Sequence, residues 1–312
     1  MVQMKIVVTG SSGQVGSYLV EHFSKKHDVV GLDNRPCPFP EAADLSQNVD
    51  IAKVRDLSGF IKGADWLVHS AAQVSVEKSM KDPLLDAENN VIGTVNVLWN
   101  AFKHEARNIL YVSSAAVYGN PVKVPLAEDH PTNPMSPYGA SKLCGEKYAL
   151  AFAAGYGLGV TIIRPFNIYS SRADPSSPYS GVITKFARRA KEGSPLLIEG
   201  DGKQTRDFVH MSDVVRMVDL IVRKPELSLG RVFNCGTGRR NSVLELAEMI
   251  QSLSGKRPAI KHVAPRVGDI KHSCADIASA EEILGFAPEM PLRDGLKEMM
   301  GQRLSPCLPP CR

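Results

Sequence analysis

Lys5-Ile6-Val7-Val8-Thr9-Gly10-Ser11-Ser12-Gly13-Gln14-Val15-Gly16 is the stretch that decides the fold. After Lys5 it runs apolar and β-branched, as a strand buried on both faces does. Three glycines spaced GxxGxxG then end the strand, and Val15, Leu19, Val20 and Phe23 follow on one side of an amphipathic helix. Glycines there let the chain turn sharply and bring helix N-terminal amides close to a pyrophosphate. A second strand, Val29-Val30-Gly31-Leu32, ends in Asp33. A carboxylate about 20 residues beyond the glycines can bind ribose hydroxyls and repel a 2′-phosphate. This favours NAD over NADP, with Arg35 as the opposing cue.

Outward from that unit, Trp66-Leu67-Val68, Ile109-Leu110-Tyr111-Val112 and Val160–Ile163 are strand candidates. Helical patterns fall between them at about Pro83–His104 and Pro137–Ala154. Alternation of this kind predicts an α/β doubly wound parallel sheet with right-handed crossovers. Gly10, Asp33, His69 and Ser113 then fall at the carboxyl ends of strands, where such sheets bind ligands. His69 itself reads as a packed strand-end histidine. After about Phe166 the rhythm changes: a loop at Ser170–Ser180 and a helix at about Gly181–Lys191. Ser242 and Glu245 form a capping box for a helix through Leu253, and a further helix, Asp276–Leu284, is stopped by Gly285.

The chemistry is carried by Tyr138-Gly-Ala-Ser-Lys142. Ser136 and Pro137 suit the N-cap and first position of a helix, so Tyr138 opens it and Lys142 lies one turn along on the same face. A phenol with a pKa of roughly 10 is a poor base at neutral pH. A neighbouring ammonium favours the phenolate and brings it nearer the working range.

Glycine loop, Asp33, the serine-bearing Val112-Ser113-Ser114-Ala115-Ala116 and Tyr-x-x-x-Lys occur in an order that resembles the extended short-chain dehydrogenase/reductases, in their NAD-dependent nucleotide-sugar epimerase/dehydratase branch. Within it the chain looks most like UDP-glucose (UDP-galactose) 4-epimerases. The matching segments are His69-Ser-Ala-Ala-Gln73, Asn90–Asn96, Arg164-Pro-Phe-Asn167, Gly200–Asp207 and Arg266-Val-Gly-Asp269. The resemblance implies a Rossmann-type NAD-binding domain over 1–165 and a smaller C-terminal α/β nucleotide-sugar domain over 166–300, some of whose segments return to the first. The tail 301–312, with three prolines and Cys307 and Cys311, departs from the family and is expected to be disordered.

The same resemblance assigns roles. Ser114, Tyr138 and Lys142 are the expected catalytic residues, Tyr138 taking the 4-hydroxyl proton, Ser114 bonding the same oxygen and Lys142 holding the nicotinamide ribose. Expected cofactor contacts are Gly10, Gly13, Gln14, Val15 and Gly16 at the turn, and Asp33 and Asn34 after the second strand. Asp50 and Ile51 flank the adenine, and Ala71, Ala72, Asn90, Ser113 and Pro165 complete the set. Substrate contacts are expected from Val76, Asn167, Val182, Arg206, Arg266, Asp269 and Ser273, the arginines clamping a diphosphate through their bidentate forks. Ala115 and Ala116 stand where the 4,6-dehydratases carry Asp-Glu, and they cannot transfer protons. That favours a 4-epimerase of UDP-glucose and UDP-galactose. Ser273 replaces a bulky residue of the strict hexose enzymes, so the N-acetylhexosamine pair is a further expected substrate. The alternative is another enzyme of the family: a UDP-glucuronate 4-epimerase, or a GDP- or dTDP-sugar epimerase or reductase. Ser170-Ser171, where relatives have Gly-Pro, and Phe208, for Tyr, are departures that remove no catalytic group.

Composition fits these expectations. A chain of 312 residues with a formal charge of +4 can bury a large core and lacks the concentrated charge of a nucleic-acid or membrane-surface binder. No apolar run approaches the roughly 20 residues of a bilayer span. The six cysteines lack metal-ligand or disulfide spacing outside the tail, so no metal and a reduced, cytoplasmic location are expected. A homodimer is implied by the family alone.

Overall fold

Each apolar run of the first half becomes a strand of one seven-stranded parallel sheet. The strands are β1 (Lys5–Thr9), β2 (Asp28–Asp33), β3 (Ser46–Asn48), β4 (Trp66–His69), β5 (Asn108–Val112), β6 (Gly159–Pro165) and β7 (Val232–Cys235). Their order, β3-β2-β1-β4-β5-β6-β7, reverses between β1 and β4. A doubly wound sheet opens a crevice at such a switch point. The computed structural model describes residues 3–173, 181–265 and 270–302. Arg266 and Asp269, most of the expected loop Ser170–Ser180, and Cys307 and Cys311 of the tail lie outside them.

Alternation of side chains along the strands builds two cores. Ile6 and Val8 of β1 face α1 (Gln14–Ser24), where they meet Leu19, Val20 and Phe23. Val7, between them in sequence, faces the other way, toward Val97 and Leu98 of α2 (Gly93–Lys103) and Ala149 and Phe152 of α3 (Pro137–Tyr156). The second half does not stand apart from this sheet. After α4 (Val182–Glu192), helix α5 (Met211–Arg223) packs Val214, Val218 and Ile221 into the first of these cores, and β7 pairs with β6. A smaller core gathers Ile183 and Phe186 of α4, Leu246 and Ile250 of α6 (Val243–Leu253), and Leu196 and Ile198 of a two-stranded sheet. The capping box of α6 is made in full.

The turn between β1 and α1 is too tight for side chains. Gly10 has φ +76, and a Cβ on Gly16 would sit 2.1 Å from the Gly10 carbonyl oxygen. Beside this turn, fully buried His69 is held between Thr9 Oγ1 (2.7 Å from Nδ1) and Thr94 Oγ1 (2.9 Å from Nε2). It is a packed residue linking β1, β4 and α2.

The helical pattern over Pro83–His104 is not one α-helix. Pro83–Ala87 is α-helical, Glu88–Ile92 is a π turn, and α2 follows. The extra residue in that turn is compatible with Asn90 lying on the buried side, where its Nδ2 donates to Gln73 O, Asp86 Oδ1 and Ser141 Oγ. Periodicity alone does not register a single wide turn.

Burial pulls the His69 pKa from 6.5 to about 3, with Lys142 adding to the effect. The unfolded chain therefore binds a proton below about 6.5 that the folded chain refuses, and folding stability falls as pH drops through that window. Denaturant unfolding of the wild type should lose up to ~1.4 kcal/mol per pH unit from this residue between about pH 6 and 4. In His69→Gln that component of the slope should vanish; an unchanged slope would remove His69 as its source.

Candidate active site

A cleft of about 2710 Å³ runs along the carboxyl ends of the strands. That is several times the roughly 300–1,000 Å³ of a pocket for one small ligand, so two can lie in it together. Its first half is built by the glycine turn. Helix α1 begins at Gly13 with no side-chain cap, which leaves its first amides free to meet an anion. Gly10, Gly13, Gln14, Val15 and Gly16 all line the cleft. At the end of β2, Asp33 is buried, its oxygens fixed by the amides of Ser12 (3.0 Å) and Arg35 (3.0 Å). The Arg35 guanidinium approaches the same carboxylate at 3.8 Å, so the two charges offset one another. Asn34, Asp50 and Ile51 continue the wall on one side, and Ala71, Ala72, Ser113 and Pro165 on the other. An uncapped helix end, a close-approach glycine turn and a buried carboxylate at the end of β2 fit a dinucleotide.

Ser114, Tyr138 and Lys142 all line the cleft where β5 and α3 face it. Ser136 caps α3 by accepting from the Gly139 amide (3.1 Å), which sets Tyr138 in the first turn. The Ser114 side chain lies near Tyr138 and accepts from the Ala116 amide at 3.2 Å. Lys142, 2% exposed, lies with its ammonium 4.4 Å over the Tyr111 ring.

The electrostatics differ from the sequence expectation. Burial is the largest influence on Tyr138 and pushes its phenol above 10; the nearby Ser114 side chain lowers it and the Asp86 charge raises it. Burial likewise pulls Lys142 down to about 7, against the upward pull of Glu146 and Asp86. The expected lowering of the phenol by the ammonium is not among the influences on Tyr138, where desolvation dominates as it does at Lys142.

Glu146 was not singled out in the sequence. It stands one further turn along the Tyr138–Lys142 face and is 2% exposed. Ser113 Oγ donates to it (2.5 Å), and Arg164 of β6 grips both its oxygens, at 2.9 and 2.7 Å. The same arginine reaches the Tyr118 hydroxyl (3.0 Å) and the Glu128 carbonyl (2.8 Å). The buried pair thus locks α3 to β6 and orients Ser113. The signal that could have found it is the i, i+4, i+8 spacing of Tyr138, Lys142 and Glu146.

In the second half of the cleft, Val76, Asn167, Val182 and Arg206 line the wall. Asn167 donates through Nδ2 to the Asp207 carbonyl (3.0 Å), and Arg206 through Nη1 to the Thr205 carbonyl (2.9 Å). Buried Asp207 organises this region, accepting from Thr237, Gly238 and Ala275. Two expected contacts are placed elsewhere. Asn90 lies behind the cleft wall in the hydrogen bonds described above. Ser273 pairs by its amide with Thr205 O (3.1 Å), beside the strand that carries Arg206, and is not among the described lining residues. Among the described residues no cluster of His, Cys, Asp and Glu could hold a metal ion, and no helix is long and apolar enough to cross a membrane.

Comparison with known proteins agrees with this geometry. The UDP-glucose 4-epimerase of Mycolicibacterium smegmatis is 36% identical over 305 residues, covering 94% of this chain and 96% of that protein. The solved UDP-N-acetylglucosamine 4-epimerase of Methanobrevibacter ruminantium superposes with a TM-score of 0.90 at 31% identity, over 96% of this chain and 98% of its own. The UDP-glucuronic acid 4-epimerase of Bacillus cereus, solved with UDP-glucuronic acid and NAD, gives 0.87 at 29% identity with the same coverage. Residues 6–236 match the model of the NAD dependent epimerase/dehydratase family, and the chain belongs to that family.

Proposed function

We propose that this nucleotide-sugar epimerase inverts carbon 4 of a UDP-hexose, UDP-glucose and UDP-galactose first, with the N-acetylhexosamine pair admitted as well. The observation that carries the reading is that Ser114, Tyr138 and a buried Lys142 line one cleft, with Ala115 and Ala116 following Ser114. That site can remove one proton from a hydroxyl and give it back. It has no acid–base pair for eliminating water.

Tyr138, as phenolate, takes the proton of the 4-hydroxyl, and Ser114 holds that oxygen by donating to it. NAD, held at the glycine turn, would supply the hydride acceptor and donor for carbon 4. Lys142 supplies positive charge beneath the phenolate and a donor for the nicotinamide ribose. Arg206 supplies a cation for the substrate diphosphate. The keto sugar must turn over before carbon 4 is reduced again, and a cleft of about 2710 Å³ has the volume for it. Gly10, Gly13, Gly16 and Asp33 are the residues that hold the dinucleotide.

A homodimer belongs to the same proposal. Trp99 and Phe102 on α2 and Tyr156 on α3 form an exposed aromatic cluster, with ring centroids 4.7–6.2 Å apart. Ile92 and Tyr148 extend it as exposed apolar side chains. Apolar surface gathered on two adjacent helices suits a second copy of the chain related by a two-fold axis.

Three outcomes are expected. Incubated without added cofactor, the protein should interconvert UDP-glucose and UDP-galactose, chromatography resolving the products, and Tyr138→Phe should lower kcat by about 10²–10⁴-fold. Wild-type turnover in that variant would show that the base is misassigned; turnover confined to UDP-glucuronate or to GDP- or dTDP-sugars would replace the UDP-hexose reading. Because Ser273 stands outside the described lining, Ser273→Tyr should leave the ratio of kcat/KM for UDP-N-acetylglucosamine and UDP-glucose unchanged; a fall of about tenfold, the scale of a pocket-edge change, would return Ser273 to specificity. Trp99→Glu should shift the protein from dimer to monomer in light scattering, and a dimer that survives it must form elsewhere.

A further inference from the structure

The chain leaving the strand Asn167–Tyr169 is fastened to helix α1 by side chains that the proposed mechanism leaves unused. Gln14 Nε2 donates to Ser170 Oγ (2.9 Å), and the Tyr18 hydroxyl and Ser171 Oγ form a hydrogen bond of 3.1 Å. Arg172 Nη2 donates to Glu21 Oε2 at 2.5 Å and to Glu41 Oε2 at 3.4 Å. The same guanidinium lies 4.2 Å over the Tyr18 ring and 4.9 Å over the Phe39 ring. Gln14, Tyr18 and Glu21 follow helical spacing, so they make one stripe along α1. Three consecutive residues of the crossing segment thus meet three successive positions of that stripe.

The contacts border the half of the cleft that fits a dinucleotide. Gln14, Phe39, Ser171 and Arg172 line it together with Gly13 and Asp33. Phe39 lies in the segment leaving β2, beyond Asp33. By touching both Tyr18 and Phe39, Arg172 joins the helix that starts at the glycine turn to the chain that follows the ribose-binding position. Ser170 and Ser171 are also where this chain departs from the Gly-Pro of its relatives, a pair with no hydroxyl to offer.

We propose that Ser170, Ser171 and Arg172 form a clasp across the dinucleotide half of the cleft, which NAD must open both to enter and to leave. They are positioning residues, bonded to α1 and to the segment after β2 rather than to the reacting atoms. The ion pair is well shielded, with Arg172 13% and Glu21 30% exposed, so salt screens it less than a surface pair. Two aromatic faces hold the guanidinium plane toward its carboxylates. Each contact is modest alone, but neighbouring residues of one short segment must release them together. Because every contact joins protein to protein, breaking them lowers a barrier shared by entry and exit. A residue that only gripped the bound cofactor would slow its exit and leave its entry alone.

The test is stopped-flow NADH fluorescence on the whole protein, in the wild type, Arg172→Gln and the double variant Ser170→Ala/Ser171→Ala. Mixing NAD-free protein with NADH gives the association rate constant. Chasing NADH-loaded protein with excess NAD gives the release rate constant. Folding is checked by circular dichroism, and either folded variant gives the answer. Both rate constants are expected to rise about tenfold in Arg172→Gln and about threefold or more in the serine variant, while their ratio, the Kd, stays within about threefold. Faster release with unchanged association would make these residues supports of the bound cofactor and overturn the clasp. Rates that do not move would overturn it as well. The inference rests on NAD as cofactor and not on the choice of sugar: failure of the 4-epimerase reading appears as missing turnover, failure of this one in the two rate constants.

Discussion

Keeping the Lys142 ammonium inside the protein is the constraint on which the site depends. A lysine 2% exposed has lost nearly all its water, and burial alone drives it toward the neutral amine. The chain offsets this from two directions. An aromatic face lies below the ammonium on β5, and Glu146 follows one turn along α3. Glu146 is itself held, by Arg164 and Ser113. Charged groups this deep need fixed partners, and those partners tie α3 to the strands beside it.

The sheet turns those ties into a reaction site. Reversal of strand order between β1 and β4 opens the crevice, and the glycine turn, too crowded for any Cβ at Gly16, brings bare helix amides to its edge. On the far side the second half of the chain does not form an independent lobe. It sends α5 and β7 back into the first core, while Asn167 and Arg206 face the cleft beside the Asp207 hub. Cofactor and substrate walls are thereby parts of one connected fold.

Much of the arrangement could be read in the order of residues. Strands β1, β2, β4, β5 and β6 announced themselves as apolar runs, and Ser136-Pro137 announced the start of α3. Local chemistry decides such elements, so local sequence is enough. The π turn at Glu88–Ile92 was hidden inside an unbroken helical pattern, because its register is set by what Asn90 meets across the interface. Glu146 and Asp86 were hidden for the same reason. Nothing in the residues around them distinguishes a surface acid from one sealed against Arg164 or an asparagine.

The sequence by itself determined the class of sheet, the glycine cradle with Asp33, and the pairing of Tyr138 with Lys142, since these follow from periodicity and from spacing on a single helix or turn. Only the tertiary structure decided how charged the pair can be. Ionisation in a protein interior depends on desolvation and on carboxylates brought from distant segments, and those distances exist only after the chain has packed. Folding set the phenol above its ordinary value and left the ammonium reliant on its buried partners, an outcome that the four-residue spacing could not state.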